Sequence, residues 1–410
     1  MFSPNPSPIS IPQKRGMAHI SLTSDSVVGA GERQHNKMIL FERECEGGHA
    51  DNLDSSSSNL ILYQNSIIIG DIYKYPPKAY NLMPPGAKNF GTLLNAHNIW
   101  HRTGRHLEKF IYPTRFPFMI DSGGFQRNKY KGFSLNSVLE IYQVLRPDIA
   151  VAYDVARTSG NLLDNNIFQS QMAEYMVALK AMVNHLDPRY SLWLPVLHGY
   201  SHDEIDQCWD VIRESGFYRK IDPQGDDVIM MVGLGSIVPL LRPTNIDQFT
   251  RRYGMAPRAL FADLVSYVRK KFPSTFLHVF GVGTPKPILE AFRAGTDSVD
   301  TRAWHLKAVF GDVLLKTGKI MSPKNYLQKM EDSRYRAALV QCQCPICKNA
   351  SNYETLVKDT FFGPRAPYRQ VARATHNLFQ YFYYQRTIEK QDSLLHSGRD
   401  GLLAYNKYIR

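Results

Sequence analysis

Five short apolar runs, each ending on an acid, a histidine or a glycine, constrain the fold of this chain most tightly. Phe116–Ile120 leads into Asp121, Ile149–Tyr153 into Asp154, and Leu192–Leu197 into His198-Gly199. Val228–Val232 leads into Gly233-Leu234-Gly235, and Phe276–Phe280 into Gly281-Val282-Gly283. Apolar runs of this length bounded by turn residues read as buried strands. Helical patterns lie between them. In Ile167–Leu186 the residues Phe168, Met172, Met176, Leu179, Val183 and Leu186 recur at three- and four-residue steps, and Ala259–Val268 and Ile288–Phe292 do so more briefly. Strands alternating with amphipathic helices imply parallel βαβ units. Polar and glycine residues at successive strand ends point to a (β/α)8 TIM barrel, whose catalytic groups gather at that face. An open doubly wound sheet is the structural rival that spacing alone leaves open.

The first strand end carries the densest chemistry. Asp121-Ser122-Gly123-Gly124-Phe125-Gln126 puts a carboxylate at the lip of a strand, followed by two glycines that let the backbone turn sharply and approach a ligand. Taken alone, the same six residues also suit an Asp that merely opens a tight turn.

Size and charge narrow the function classes. At 410 residues, 43% of them hydrophobic, the chain can bury one large core plus appendages. No apolar run approaches the roughly 20 residues of a membrane span. Lys14 and Arg15 are followed by no apolar segment of the secretory type, so a cytoplasmic protein is expected. The first 16 residues are rich in Pro and Ser, and Asp51–Asn59 holds four consecutive serines, so residues 1–60 read as a weakly ordered lead-in with a strand at Met38–Phe41. The formal net charge of +12 predicts attraction to polyanions. The charge is clustered. His101, Arg102, Arg105, His106, Lys109 and Arg115 precede Asp121, Arg127, Lys129 and Lys131 follow it, and Arg365, Arg369 and Arg373 form a second group. Cations flanking a proposed active site are what a nucleic-acid substrate needs, although a solvated basic surface would show the same net charge.

Three of the five cysteines fall in Cys342-Gln343-Cys344-Pro345-Ile346-Cys347. Without an export signal, three thiols so close together favour a metal over disulfides. His376, in Thr375-His376-Asn377-Leu378, supplies a fourth ligand for tetrahedral Zn2+, and a Cys₃His site is closed and therefore structural. Cys45 and Cys208 read as ordinary thiols. Ser201-His202-Asp203 cannot form a triad, because consecutive side chains do not converge. Ser201 with Glu204 reads instead as a helix capping box, and Thr284-Pro285 as an N-cap followed by proline at N1. The aromatic run Phe379, Tyr381, Phe382, Tyr383, Tyr384 reads as helix packing near the metal.

Over roughly residues 85–390 the chain resembles the tRNA-guanine transglycosylase superfamily. The matching motifs occur in order: Asp121–Gln126, the strand ending in Asp154, and Leu197-His198-Gly199 where the family usually has Val-Gln-Gly. Gly233-Leu234, Phe280–Pro285, Gly295–Asp300, and the Cys-x-Cys-x₂-Cys with His376-Asn-Leu complete the set. The resemblance implies a barrel over residues 61–330, a zinc-binding subdomain with closing helices over 331–395 and a tail at 396–410. It also implies exchange of guanine in a polynucleotide for a 7-deazaguanine. Asp300 matches the nucleophile, and Asp121 the acid that helps guanine depart and takes the N9 proton of the incoming base. Base exchange at C1′ suits a carboxylate nucleophile, since two displacements restore the original stereochemistry. Asp300 would also end the short strand Asp297–Val299 on the catalytic face. Asp154 matches the reader of guanine N1–H and the 2-amino group. Phe125 is expected to cover the base, with Gly233 and Leu234 as the pocket floor and His198-Gly199 at the base edge.

Departures from the family pattern bear on substrate. His198 stands where glutamine reads O6 and the 7-substituent, and no glutamate follows Gly233-Leu234-Gly235-Ser236. After Asp300 the Cys-Val-Leu-Pro-Thr-Arg-type segment of tRNA enzymes is replaced by Thr301-Arg302-Ala303-Trp304, in which Arg302 is expected to meet nucleic acid. No archaeal-type RNA-binding domain is expected after about residue 395. The set is most similar to the DNA-modifying branch, which inserts 7-cyano-7-deazaguanine into DNA and would work beside helper proteins of a DNA-modification system. A tRNA enzyme and a non-catalytic nucleic-acid-binding subunit are the alternatives.

Overall fold

In the computed structural model the described residues are 92–103, 118–124, 132–154, 163–187, 191–218, 231–241, 246–273, 275–363, 369–381 and 383–384, with four strands earlier in the chain and isolated residues between. Three of the early strands, β1 (Ala18–Ser21), β2 (Ile39–Arg43) and β3 (Ser58–Leu62), form an antiparallel sheet in that order. The strand expected near 38–41 is therefore the middle one of three. The other two escape a sequence reading because four- and five-residue stretches among Ser and Asn carry little apolar signal.

The main sheet starts at β4 (Ser66–Gly70) and continues through β5 (Thr92–Asn95), β6 (Phe118–Asp121), β7 (Ile149–Val151), β8 (Leu192–Leu194) and β9 (Val196–Leu197). It is completed by β10 (Met231–Leu234), β11 (Phe276–Val279) and β12 (Ser298–Thr301). The spatial order is β8-β7-β6-β5-β4-β12-β11-β10-β9, and every neighbouring pair is parallel. The two ends of that order, β8 and β9, are separated in the chain by Pro195 alone. Proline has no N–H to give a ladder, so the run expected over Leu192–Leu197 breaks there. The Pro195 carbonyl still accepts from Gly233 N at 2.8 Å, and the Tyr175 hydroxyl lies 2.9 Å from Val196 O and 3.1 Å from Val196 N.

Helices follow the strands. They span Ala96–Thr103, Leu135–Leu145, Asn165–His185, His202–Ser215, Ile246–Tyr253, Pro257–Lys271, Pro285–Arg293 and Ala303–Val309. Their starts obey local rules. Asp164 and Ser201 cap with their side chains, and Pro257 and Pro285 occupy first-turn positions where no N–H is needed. Ser201 accepts from Glu204 N as a capping box requires, but the Glu204 carboxylate reaches back to Tyr200 N instead of Ser201 N. The helices bury their apolar stripes on one continuous core, which includes Phe168, Tyr175, Leu179, Ile205, Leu264 and Val268. No helix among the described residues is long and apolar enough to cross a membrane.

Two of the shifted strand boundaries bear on the site. The run expected over Val228–Val232 continues through Gly233 and Leu234, which pair with His278 and Val279 and remain in the ladder, while Val228 and Met230 lie outside the described residues. The run Asp297–Val299 becomes Ser298–Thr301. Asp297 is instead held at the start, its carboxylate accepting from Leu277 N at 2.7 Å and pairing with Arg269. Pairing of Asp300 with Ile68 and Thr301 with Ile69 carries the strand past the expected end.

Beyond residue 310 a second, smaller core gathers Val313, Leu315, Met321, Tyr335, Leu339, Leu356, Val357, Phe361 and Ala372. Asn377 ties the two cores together. Its side-chain oxygen accepts from Leu314 N at 2.7 Å, and its amide donates to Trp304 O and Asp312 O. Arg373 is buried and donates to the Ala308 and Phe361 carbonyls, and Arg369 donates to Phe362 O. This corrects the reading of Arg373 as part of a polyanion-binding group: its guanidinium is used within the fold. Arg365 lies outside the described residues.

Candidate active site

Side-chain alternation decides which residues face the site. On β12, Ser298 and Asp300 share a face, and His278 on β11 reaches both: Nδ1 lies 2.8 Å from Ser298 Oγ and Nε2 3.6 Å from Asp300 Oδ1. Gly233 pairs with His278 and belongs to the same face. A Cβ at Gly233 would stand 2.7 Å from the Phe280 ring, so the missing side chain is the space that Phe280 fills. Leu234 pairs with Val279, points to the opposite face and is fully buried. Its side chain therefore lies on the other face of the sheet from Gly233 and His278.

Three acids come together at the strand ends. Asp121 closes β6, Asp154 follows β7, and Asp300 lies one residue before the end of β12. Asp121 accepts from Asn95 Nδ2 at 2.8 Å, and Asn95 Oδ1 in turn accepts from Asn98 N at the start of the Ala96–Thr103 helix. Burial, then the nearby Asp154 and Asp300 carboxylates, push Asp121 up to about 7, against the Asn95 and Gly123 hydrogen bonds that favour its charged form. Asp300 is fixed differently. Gly281 N donates to its Oδ1 at 2.6 Å, and the side chain is almost completely buried. Gly281 has φ +73°, a left-handed conformation, and a Cβ there would meet Val238 at 2.6 Å.

The motif after Asp121 is built to hold Asp154. Ser122 Oγ accepts from both Gly124 N and Asp154 N, at 3.3 and 3.1 Å. A Cβ on Gly124 would stand 1.8 Å from the Asp154 carbonyl oxygen, so only glycine fits. Tyr142, from the Leu135–Leu145 helix, sets its hydroxyl 2.8 Å from both Ile120 O and Val151 O, just before the two acids. A burial partner for two strands at once is a tertiary fact, and nothing in the sequence marks Tyr142. Asn95 was within reach, since it too is a polar residue ending a strand, but Thr92–Asn95 is too short to read as one.

His198 is buried, with Nδ1 2.9 Å from Ser236 Oγ and its ring edge-on to Tyr175. Ser236 carries φ +59°, uncommon outside glycine, and its carbonyl accepts from the Tyr200 hydroxyl at 2.9 Å. A Cβ at Gly235 would lie 3.0 Å from the His198 ring, so the ring occupies the space beside that backbone. Gly199 packs on the Glu204–Ile205 turn, where a Cβ would meet Glu204 Cβ at 2.8 Å. Arg302 is half-buried at the N-cap of the Ala303–Val309 helix. Phe125, Arg127, Lys129 and Lys131 lie outside the described residues.

At the second core, the Sγ atoms of Cys342, Cys344 and Cys347 lie 3.8, 3.3 and 3.3 Å from His376 Nδ1, and all four ligand atoms fall within 4.8 Å of one another. The other ring nitrogen of His376, Nε2, is 2.8 Å from Leu314 O. A proton on Nε2 satisfies that carbonyl and leaves the Nδ1 lone pair to a metal, the outer-shell arrangement typical of ligating histidines. The cluster can hold a metal ion. Of the aromatic run, Tyr383 OH accepts from Gln343 N within the cysteine segment, whereas Tyr381 and Tyr384 are buried in the larger core and donate to Gly283 O and Leu315 O. Phe382 lies outside the described residues.

A family model described as queuine tRNA-ribosyltransferase matches residues 89–390. The queuine tRNA-ribosyltransferase of Treponema denticola is 25% identical over 254 residues, covering 56% of this chain and 59% of that protein. The tRNA-guanine(15) transglycosylase of Archaeoglobus fulgidus is 26% identical over 297 residues, covering 69% of this chain and 51% of that protein. The matched part thus spans little more than half the length of either relative.

Proposed function

The chain belongs to the queuine tRNA-ribosyltransferase family, and on that premise we propose that it exchanges guanine in a polynucleotide for a 7-deazaguanine through a covalent Asp300 intermediate. The observation that carries this is the pairing of unlike carboxylates: Asp300 anchored through one oxygen, and Asp121 poised near neutrality beside it. Asp300 attacks C1′ of the target nucleoside, the C1′–N9 bond breaks with its electrons going to N9, and Asp121 protonates the departing guanine. The incoming base then gives its N9 proton to Asp121. Its N9 attacks C1′, and the ester breaks to return the Asp300 carboxylate. An acid with a pKa near 7 serves both directions. Asp154 accepts from guanine N1–H and the 2-amino group, and Ser122 and Gly124 fix where it stands. The target nucleotide leaves its stack to reach these groups.

We propose further that the sheet closes into a (β/α)8 barrel over residues 61–330. β8 and β9 act as one strand across Pro195, and the strand order follows the chain without the reversal of a doubly wound sheet. Three thiolates and one imidazole suit zinc, whose bonds of about 2.0–2.3 Å require ligand separations of roughly 3.5–3.8 Å. Bound there, the ion supplies folding energy to the 331–395 subdomain and no reaction chemistry.

For the polynucleotide we propose DNA, with 7-cyano-7-deazaguanine as the incoming base. What favours this is Thr301-Arg302-Ala303-Trp304 after Asp300, and His198 bonded to Ser236 with no acid to meet an aminomethyl group. tRNA is the second reading, favoured by the names of the two relatives. Incubating purified protein with labelled 7-cyano-7-deazaguanine and either duplex DNA or tRNA separates them. Label in DNA that disappears with Asp300→Asn is the expected result. Label in tRNA alone selects the second reading, and label in neither defeats the proposal.

A further inference from the structure

We propose that His278 is a positioning residue for Asp300, with Ser298 setting its tautomer, and that the pair governs release of the covalent intermediate more than its formation. The inference rests on the transglycosylase reading above. His278 is fully buried in the middle of β11, between two residues of β12 that share its face. Its Nδ1 contacts Ser298 Oγ at 2.8 Å, and its Nε2 points at Asp300 Oδ1 from 3.6 Å. The Phe280 ring stands edge-on at 4.4 Å between centroids and blocks the ring from turning away. Among the described residues Nε2 makes no hydrogen bond, and a buried ring nitrogen is costly in that condition. Closing about half an ångström would make it a normal bond to Oδ1.

The tautomer follows from chemistry. If Nδ1 carried the proton, the Nε2 lone pair would face a carboxylate oxygen and repel it. If Ser298 donates to Nδ1, Nε2–H faces Oδ1 and attracts it. Oδ1 then takes two donors, Gly281 N–H and His278 Nε2–H, and Oδ2 is the oxygen presented to C1′.

Two donors on Oδ1 act unequally on the two displacements. In the first, Asp300 gives up its negative charge as the O–C1′ bond forms, so donors stabilise the starting carboxylate and give no acceleration. In the second, the C1′–O bond breaks and its electron pair returns to the carboxylate, so donors stabilise the charge that develops. Removing the His278 donor therefore shifts the balance toward the glycosyl ester.

The test measures, for each variant, turnover with both substrates and the fraction of protein in denaturation-resistant adduct with labelled polynucleotide. A donor to a charged group changes such an equilibrium by about tenfold or more. His278→Leu should lower kcat about tenfold and raise the adduct fraction, with KM for the polynucleotide falling alongside kcat as the intermediate accumulates. His278→Gln, whose amide can donate toward Oδ1, should recover most of the turnover. Ser298→Ala should move both readouts in the direction of His278→Leu while leaving the ring in place. Equal adduct fractions in wild type and His278→Leu would overturn the proposal. So would His278→Gln as impaired as His278→Leu. Unfolding of both His278 variants with Ser298→Ala behaving as wild type would make His278 a packing residue and overturn it too. Absence of any adduct or turnover in the wild type is a distinct result, which removes the transglycosylase reading beneath it.

Discussion

Replacing Asp121 with asparagine should change how stability responds to pH, in a direction opposite to that of an ordinary salt-bridged acid. Asp121 moves from 3.8 in the unfolded chain to about 7 in the folded protein, chiefly through burial and then through Asp154 and Asp300. Below pH 3.8 both states hold the proton and the group is silent. Between 3.8 and about 7 the unfolded chain has released it and the folded one has not, so stability falls as pH rises. The slope approaches roughly 1.4 kcal/mol per pH unit, and over about three units the loss totals some 4 kcal/mol. Asparagine keeps the shape and carries no charge. The Asn95 hydrogen bond is already part of what sets the value near 7, and any contact that asparagine loses is a constant offset that does not change with pH. The variant-minus-wild-type difference should therefore rise by about 4 kcal/mol between pH 4 and pH 8. Urea denaturation followed by tryptophan fluorescence at unit pH steps, taken as a variant-minus-wild-type difference, isolates this group from the other acids. A difference that is flat in pH, or that falls, would refute the crowding of three carboxylates and with it the proposed dual acid–base role.

Other consequences can be checked in parallel. Gly124→Ala forces a Cβ against the Asp154 carbonyl, so it should cost about 1–3 kcal/mol of stability and raise KM for the polynucleotide in steady-state kinetics. Cys344→Ser removes a fully buried ligand atom, so elemental analysis should find the metal lost and calorimetry should find the 331–395 part destabilised by several kcal/mol, on the order of a structural zinc site; full metal content in the variant would exclude Cys344 as a ligand. Replacing Arg127, Lys129 and Lys131 together with alanine should reduce the slope of log affinity against log salt by roughly two to three units, at about 0.7–0.9 per phosphate contact, and equally for all sequences. An unchanged slope would put the phosphate track elsewhere.

Much of this site was legible in the chain because its informative residues are local. Asp121, Asp154 and His198 follow short apolar runs, and the Cys-x-Cys-x₂-Cys spacing states its chemistry within six residues. The βαβ alternation, the glycine turns and the helix starts at Asp164, Ser201 and Pro285 likewise follow from nearest-neighbour sterics and capping. Pairing between distant strands decided the rest. Strand β12 extends through Asp300 because β4 lies beside it, some 230 residues earlier in the chain. Leu234 lies on the other face of the sheet from Gly233 and His278 because its register with Val279 sets the alternation, which a composition-based boundary two residues off cannot give. Arg373 looks like a surface cation in sequence and is a buried donor in the fold, since its fate depends on carbonyls 65 and 12 residues away. His278, Tyr142 and Asn95 acquire meaning only from what the parallel ladder sets beside them, because a side chain's partners across a sheet are fixed by register and not by sequence distance.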